Sequence, residues 1–278
     1  MSKLKEFITI HQLSVTFPSG EQEKKALQQL ELSLYEGQWT AIVGSNGCGK
    51  STLAKVLTGL IPPTSGSVQI DSKAHPAVQM VFQNPETPII GETVYEDVCF
   101  GLMNYGVDAE AMKRRALEAL QQVGLLPLAE AQTASLSGGQ KQLLNIAGCL
   151  ALNPPIYVFD EATSMLDPLS RQHVLEAVRK LHDQGHTILW ITQLLDELAW
   201  CDRVVAIEDG SIAYDGPKTD FFYPASGDEQ SVCESLGFVA PYTVKTVQAL
   251  RKRGFQLNPL PVSPIEFSKA VSALYDSN

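Results

Sequence analysis

A chain of 278 residues with 44% hydrophobic and 19% charged side chains has an ordinary globular composition, enough for one good-sized core and a small second unit. Its net charge of −10 falls wholly in residues 1–216, since residues 217–278 hold six charges of each sign, and so acidic a body argues against nucleic-acid partners. No stretch reaches the roughly 18 unbroken apolar residues of a membrane span, the start lacks a signal-peptide core, and five scattered cysteines predict reduced thiols in a cytosolic protein.

Phe7–Val15 alternates in the manner of a strand, Phe17-Pro18-Ser19-Gly20 reads as a turn, and Leu27–Leu34 reads as a second strand closed by Glu36-Gly37. Trp39–Val43 is a short apolar strand that feeds into Gly44-Ser45-Asn46-Gly47-Cys48-Gly49-Lys50-Ser51, and Ser51–Leu60 follows as a helix ended by Gly59 and Pro62-Pro63. Ala77–Phe82 is another strand, with Gln83 at its end and opening a helical segment. From Thr93 to about Gly148 the pattern is helical, with Asp108–Val123 clearly amphipathic. Two buried strands, Ile156–Phe159 and Thr187–Thr192, flank a helix over Pro168–Asp183. Arg203–Glu208 and Ser211–Tyr214 form a hairpin about Asp209-Gly210. Past Gly216-Pro217 the composition shifts, and helical patterns recur at Tyr242–Gly254 and Ile265–Tyr275. The class is α/β around a mainly parallel sheet, with an antiparallel β piece at the start and a helical insert.

Strand, glycine loop and helix are the setting that GxxxxGK[ST] needs to bind phosphate. Main-chain N–H groups of Gly44–Gly49 close around phosphate oxygens, and the helix beginning near Lys50, Ser51 and Thr52 points its positive end at them. Lys50 bridges phosphates as a point charge, and the Ser51 hydroxyl is a ligand for Mg²⁺. Asp160 and Glu161 close a buried strand at its carboxyl end, where open α/β sheets bind ligands. Asp160 is placed to hold Mg²⁺ through a water, and Glu161 to polarise an attacking water. Ser137, Gly138 and Gly139 open a helix and offer a hydroxyl and N–H groups to an anion, though an ordinary N-cap has the same geometry.

The segment Leu136-Ser137-Gly138-Gly139-Gln140 stands between the phosphate loop and the strand ending in Asp160-Glu161. This order resembles that of ATP-binding cassette (ABC) ATPases. The resemblance implies a P-loop NTPase fold: a RecA-like parallel-sheet core, an antiparallel β subdomain and a helical signature subdomain. It implies a nucleotide-binding domain over 1–216, its helical subdomain at about 84–148, and a small mainly helical dimerisation domain over 217–278. By the same resemblance ATP and Mg²⁺ are the cofactors, Gln83 is the Q-loop glutamine that touches Mg²⁺ or water, and Phe17 stacks on adenine. Ser137–Gln140 serve the ATP of a second ABC ATPase, and Ser164-Met165-Leu166-Asp167 runs across the interface between the two.

Three stretches narrow the resemblance to ATPases of energy-coupling factor (ECF) vitamin importers and their cobalt and nickel relatives: Val81–Glu86, Glu92–Gly106 and Pro261–Phe267. That branch implies a transmembrane coupling protein, a separate substrate-capturing membrane subunit, and a place at the cytoplasmic face of the membrane. Two positions depart from the pattern. Gln193 stands at the switch histidine, and Leu143 stands where an Arg usually follows the signature. An amide can hydrogen-bond a γ-phosphate but cannot become cationic near neutral pH. Two readings follow: an ATP hydrolase paired with a different or identical ATPase, or a non-catalytic nucleotide-binding partner.

Overall fold

A computed structural model describes residues 5–19, 22–84, 89–225 and 230–276. Two long strands, β1 (Glu6–Ser19) and β2 (Gln22–Tyr35), form a hairpin, and β4 (Ser65–Ile70) adds to β1 to give an antiparallel sheet in the order β2-β1-β4. The central sheet holds β3 (Trp39–Val43), β5 (Val78–Val81), β6 (Ile156–Asp160), β7 (Thr187–Ile191), β8 (Arg203–Glu208) and β9 (Ser211–Pro217). Its order is β5-β6-β7-β3-β8-β9, parallel except for the β8–β9 hairpin. Asp209 and Gly210 at that turn both have positive φ (46° and 78°), as the primed two-residue turn requires.

The central strands are apolar on both faces, which is why they read as unbroken hydrophobic runs. Trp39, Phe159, Trp190 and Val204 enter one core. Ile42, Val158, Leu189 and Val205 enter the other, with Ile8, Leu30 and Leu53. The second core is closed by the antiparallel sheet and by α1 (Lys50–Leu57). The first is covered by α2 (Val94–Asn104), α3 (Ala109–Gln122), α4 (Gly138–Leu152) and α5 (Pro168–Asp183).

Helix α2 starts at Val94, as the pattern from Thr93 predicts, whereas Gln83, expected to open a helical segment, is not helical. Thr93 is the N-cap of α2, in a reciprocal pair with Glu96, and Asp97 Oδ1 accepts the main-chain N–H groups of Ile90 and Gly91 at 2.8 and 2.9 Å. Gln83 therefore lies in irregular chain between β5 and α2. The turn expected at Phe17-Pro18 is also displaced. The strand continues through Ser19, with Phe17 opposite Lys24 and Pro18 opposite Glu23. Proline is tolerated there because it sits at the end of the ladder.

Beyond β9 lie α6 (Lys218–Phe222), α7 (Val232–Ser235), α8 (Tyr242–Lys252) and α9 (Pro264–Asp276). Phe221 and Phe222 are fully buried in the same core as Trp39 and Val204, and Lys218 Nζ donates to the Ala199 carbonyl. The core thus runs on past residue 217 at least as far as Phe222. Val239, Tyr242, Phe255 and Ile265 remain exposed on this last part of the chain, Tyr242 at 85%. No helix among the described residues is long and apolar enough to cross a membrane.

Candidate active site

The phosphate loop joins β3 to α1. Gly49 caps α1 at φ 113°, in the left-handed region, and a Cβ there would stand 2.4 Å from the Ala26 carbonyl oxygen. Both the backbone conformation and the space demand glycine. Lys50 is buried at 5% exposure, and its ammonium donates to the carbonyls of Gly44 at 2.8 Å and Ser45 at 2.9 Å. The loop thus fixes the cation through its own main chain. Cys48 is buried beneath the loop, so its side chain does not face the cleft that the loop rims.

That cleft has a volume of about 390 Å³. Phe17, Lys24 and Ala26 of the hairpin form one wall, and Asn46 through Thr52, apart from Cys48, form its floor. Gln83, Glu161 and Gln193 complete it from the ends of β5, β6 and β7. These three termini lie side by side because the strands are parallel neighbours, so residues far apart in sequence meet at one edge.

Glu161 has φ 50°, a left-handed conformation that costs a non-glycine residue about 1–2 kcal/mol. Its N–H donates to the Ile191 carbonyl at 2.9 Å, and its carboxylate turns into the cleft. There Gln83 Nε2 donates to Oε2 at 3.1 Å and Gln193 Nε2 donates to Oε1. Gln193 Nε2 also reaches Asn46 Oδ1 at 2.8 Å, tying the end of β7 to the phosphate loop. A carboxylate oriented by two amides and facing a phosphate-binding floor can accept a proton from, or orient, a water molecule.

The Ser51 hydroxyl donates to Asp160 Oδ1 at 3.1 Å. Burial pushes the Asp160 carboxyl above the usual carboxylate range, with the Ser51 bond working against that shift. A nearby cation would relieve this desolvated acid. The donors at hand, a hydroxyl, a carboxylate and the Gln83 amide oxygen, are hard oxygens that fit Mg²⁺.

The signature residues do not line this cleft. Ser137 caps α4, accepting the Gln140 N–H at 3.3 Å while the Gln140 side chain takes the Ser137 N–H at 2.9 Å. Gly138 has open space where a side chain would stand, whereas a Cβ at Gly139 would meet Ser170 Oγ of α5 at 2.4 Å. One glycine leaves the helix start approachable, and the other seats it on α5. Leu143 is buried in the core that α4 covers, so the apolar residue at this position is a packing residue. Glu86 lies outside the described residues.

Sequence reasoning missed Lys24 and Ala26, because the register that sets Lys24 opposite Phe17 follows from where the hairpin turns. Also missed was Gln142, fully buried on α4, whose Nε2 donates to the Phe82 carbonyl at 3.2 Å, directly before Gln83.

A family profile described as ABC transporter matches residues 27–164. The energy-coupling factor transporter ATP-binding protein EcfA1 of Lacticaseibacillus paracasei is 42% identical over 262 residues, covering 90% of this chain and 91% of that protein. Among solved structures, cbiO1 of Clostridium perfringens, part of the ABC transporter complex cbiONQ, superposes with a TM-score of 0.71 at 26% identity, covering 88% of this chain and 99% of that one. An ATP-binding cassette solved as a dimer in a post-hydrolysis state with ADP and Pi gives a TM-score of 0.67 at 28% identity, over 76% of this chain and 98% of that one.

Proposed function

This chain belongs to the ABC transporter family as an ATP-binding subunit of the energy-coupling factor type, and we propose that the cleft between Lys50 and Gln193 is its half of a composite ATP site. The adenine stacks on Phe17, the phosphates lie over Gly47–Lys50, and Ser51, Asp160 and Gln83 hold Mg²⁺. The ion supplies positive charge to the β- and γ-phosphates. Glu161, held by Gln83 and Gln193, orients the attacking water and takes up its proton.

The observation that carries this reading is Glu161 itself. A left-handed backbone, held by the Glu161 N–H on the Ile191 carbonyl, and two amide donors aim one carboxylate at the phosphate floor. Glu161→Gln keeps the volume and removes the proton acceptor. Expected in the assembled transporter is loss of turnover by about 10²–10⁴-fold with ATP still bound. Unchanged turnover would instead favour a nucleotide clamp whose partner hydrolyses, the reading that Gln193 in place of a titrating side chain keeps open.

Ser137–Gln140 sit on α4 outside the cleft, which supports their service to the ATP of a paired ATPase. The pair sits beneath a membrane coupling subunit at the cytoplasmic face and powers uptake of a vitamin or similar micronutrient captured by another membrane subunit. Residues 217–278 hold the two ATPases together, a role supported by the exposed apolar side chains of Tyr242 and Ile265. Replacing both with Asp is expected to weaken nucleotide-free association at least about tenfold, since burying one such side chain is worth roughly 1.5–3 kcal/mol. Sedimentation velocity reads this, and an association equal to wild type refutes the assignment.

A further inference from the structure

Glu197 lies in a short 3-10 turn, Leu195–Trp200, and is 2% exposed. A carboxylate taken so far out of water is destabilising unless donors surround it. They do. Thr163 Oγ1 donates to Oε1 at 2.6 Å, Thr192 Oγ1 donates to Oε2 at 2.6 Å, and Trp190 Nε1 donates to Oε2 at 2.9 Å. Arg171 Nε of α5 stands 3.9 Å away and supplies compensating charge.

The two threonines are the telling partners. Thr163 follows Glu161 by two residues, and Thr192 directly precedes Gln193. One carboxylate therefore joins the segment that carries the base to the segment that carries the amide orienting it. The β6–β7 ladder ends in the Glu161 N–H on the Ile191 carbonyl, and Glu197 adds a side-chain strut beyond the sheet. Thr163 also begins the stretch leading to Met165, which is 68% exposed, so a contact made at Met165 reaches Glu197 through two residues.

We propose that Glu197 is a positioning residue for hydrolysis: it sets the separation of Glu161 and Gln193, and so the orientation of the Glu161 carboxylate. The proposal rests on the reading of the cleft given above. Glu197 touches no phosphate. Its removal should slow the chemical step and leave ATP binding alone, because the groups that hold nucleotide, Lys50 and the phosphate loop, make no contact with it.

Glu197→Gln tests this. The amide has the same volume, and the threonine hydroxyls can accept as well as donate, so the fold is retained while the lone-pair acceptors are halved. Expected is a fall in kcat of about tenfold in the assembled transporter, on the scale of a lost orienting hydrogen bond, with the full-length chain binding ATP within about twofold of wild type. Thr163→Val removes one strut and leaves the carboxylate in place. It should lower kcat in the same sense, and it carries the test should the glutamine variant fail to fold. Wild-type kcat in both variants, or affinity falling in step with kcat, overturns the positioning role. Glu161→Gln runs alongside: if it abolishes turnover while Glu197→Gln and Thr163→Val both keep wild-type kcat, the strut alone is wrong. If turnover survives Glu161→Gln, the reading of the cleft is wrong and the strut with it.

Discussion

Replacing Lys50 with alanine is expected to lower ATP affinity by about 2–4 kcal/mol, roughly 30- to 1,000-fold, the scale for removing one partner of a buried charged contact. Lys50 is held by the Gly44 and Ser45 carbonyls at the cleft floor, so its charge stands where the phosphates would lie. Loss of the side chain removes that charge and leaves two carbonyl dipoles facing the site where anionic oxygens must sit. The main-chain N–H groups of the loop and the start of α1 remain, which is why binding weakens but does not vanish. Isothermal titration of the full-length chain with ATP checks the figure. An affinity within twofold of wild type would mean that the phosphates bind somewhere else.

The second large effect is expected at Ser137. Ser137→Arg should reduce turnover of the assembled transporter by about a hundredfold or more, the scale for losing a donor to transition-state charge. The residue caps α4, and losing a cap costs about 1 kcal/mol, too little to unfold the chain. What changes is the approach to the helix start, where the open space at Gly138 would be filled by a long side chain. Because Ser137 is not part of this chain's cleft, its own affinity for ATP should be unaffected. Turnover lost with affinity intact locates the defect at the partner's nucleotide. A fall in both would place Ser137 at this chain's own site. Full turnover in Ser137→Arg with none in Glu161→Gln would show that this chain's own cleft is the productive one.

The parts of the fold that the sequence disclosed are those governed by local chemistry. Helix Pro168–Asp183 was readable because Asp167 caps it, accepting from Leu169 and Ser170, and a proline begins it. Strand β4 was not readable. Its residues are mostly exposed, and Gly66 is there because the main chain of Gln12 stands where a Cβ would be, a condition set by a bulge 54 positions earlier. In the site, the phosphate loop and the Asp160-Glu161 pair announced themselves by composition and setting. Glu197 did not, since an acid in a run of Leu and Asp looks like a surface residue until β7 and the Thr163 segment are folded around it.

The burial of Phe221 and Phe222 among Trp39, Val204 and Leu198 has a thermodynamic consequence. Two units with separate interiors can melt one after the other, but units that share an interior lose it together. Heating this chain should thus give one calorimetric peak, and a polar residue at Val247 should be felt as a lower melting temperature of the core that Trp39 and Val204 share with it.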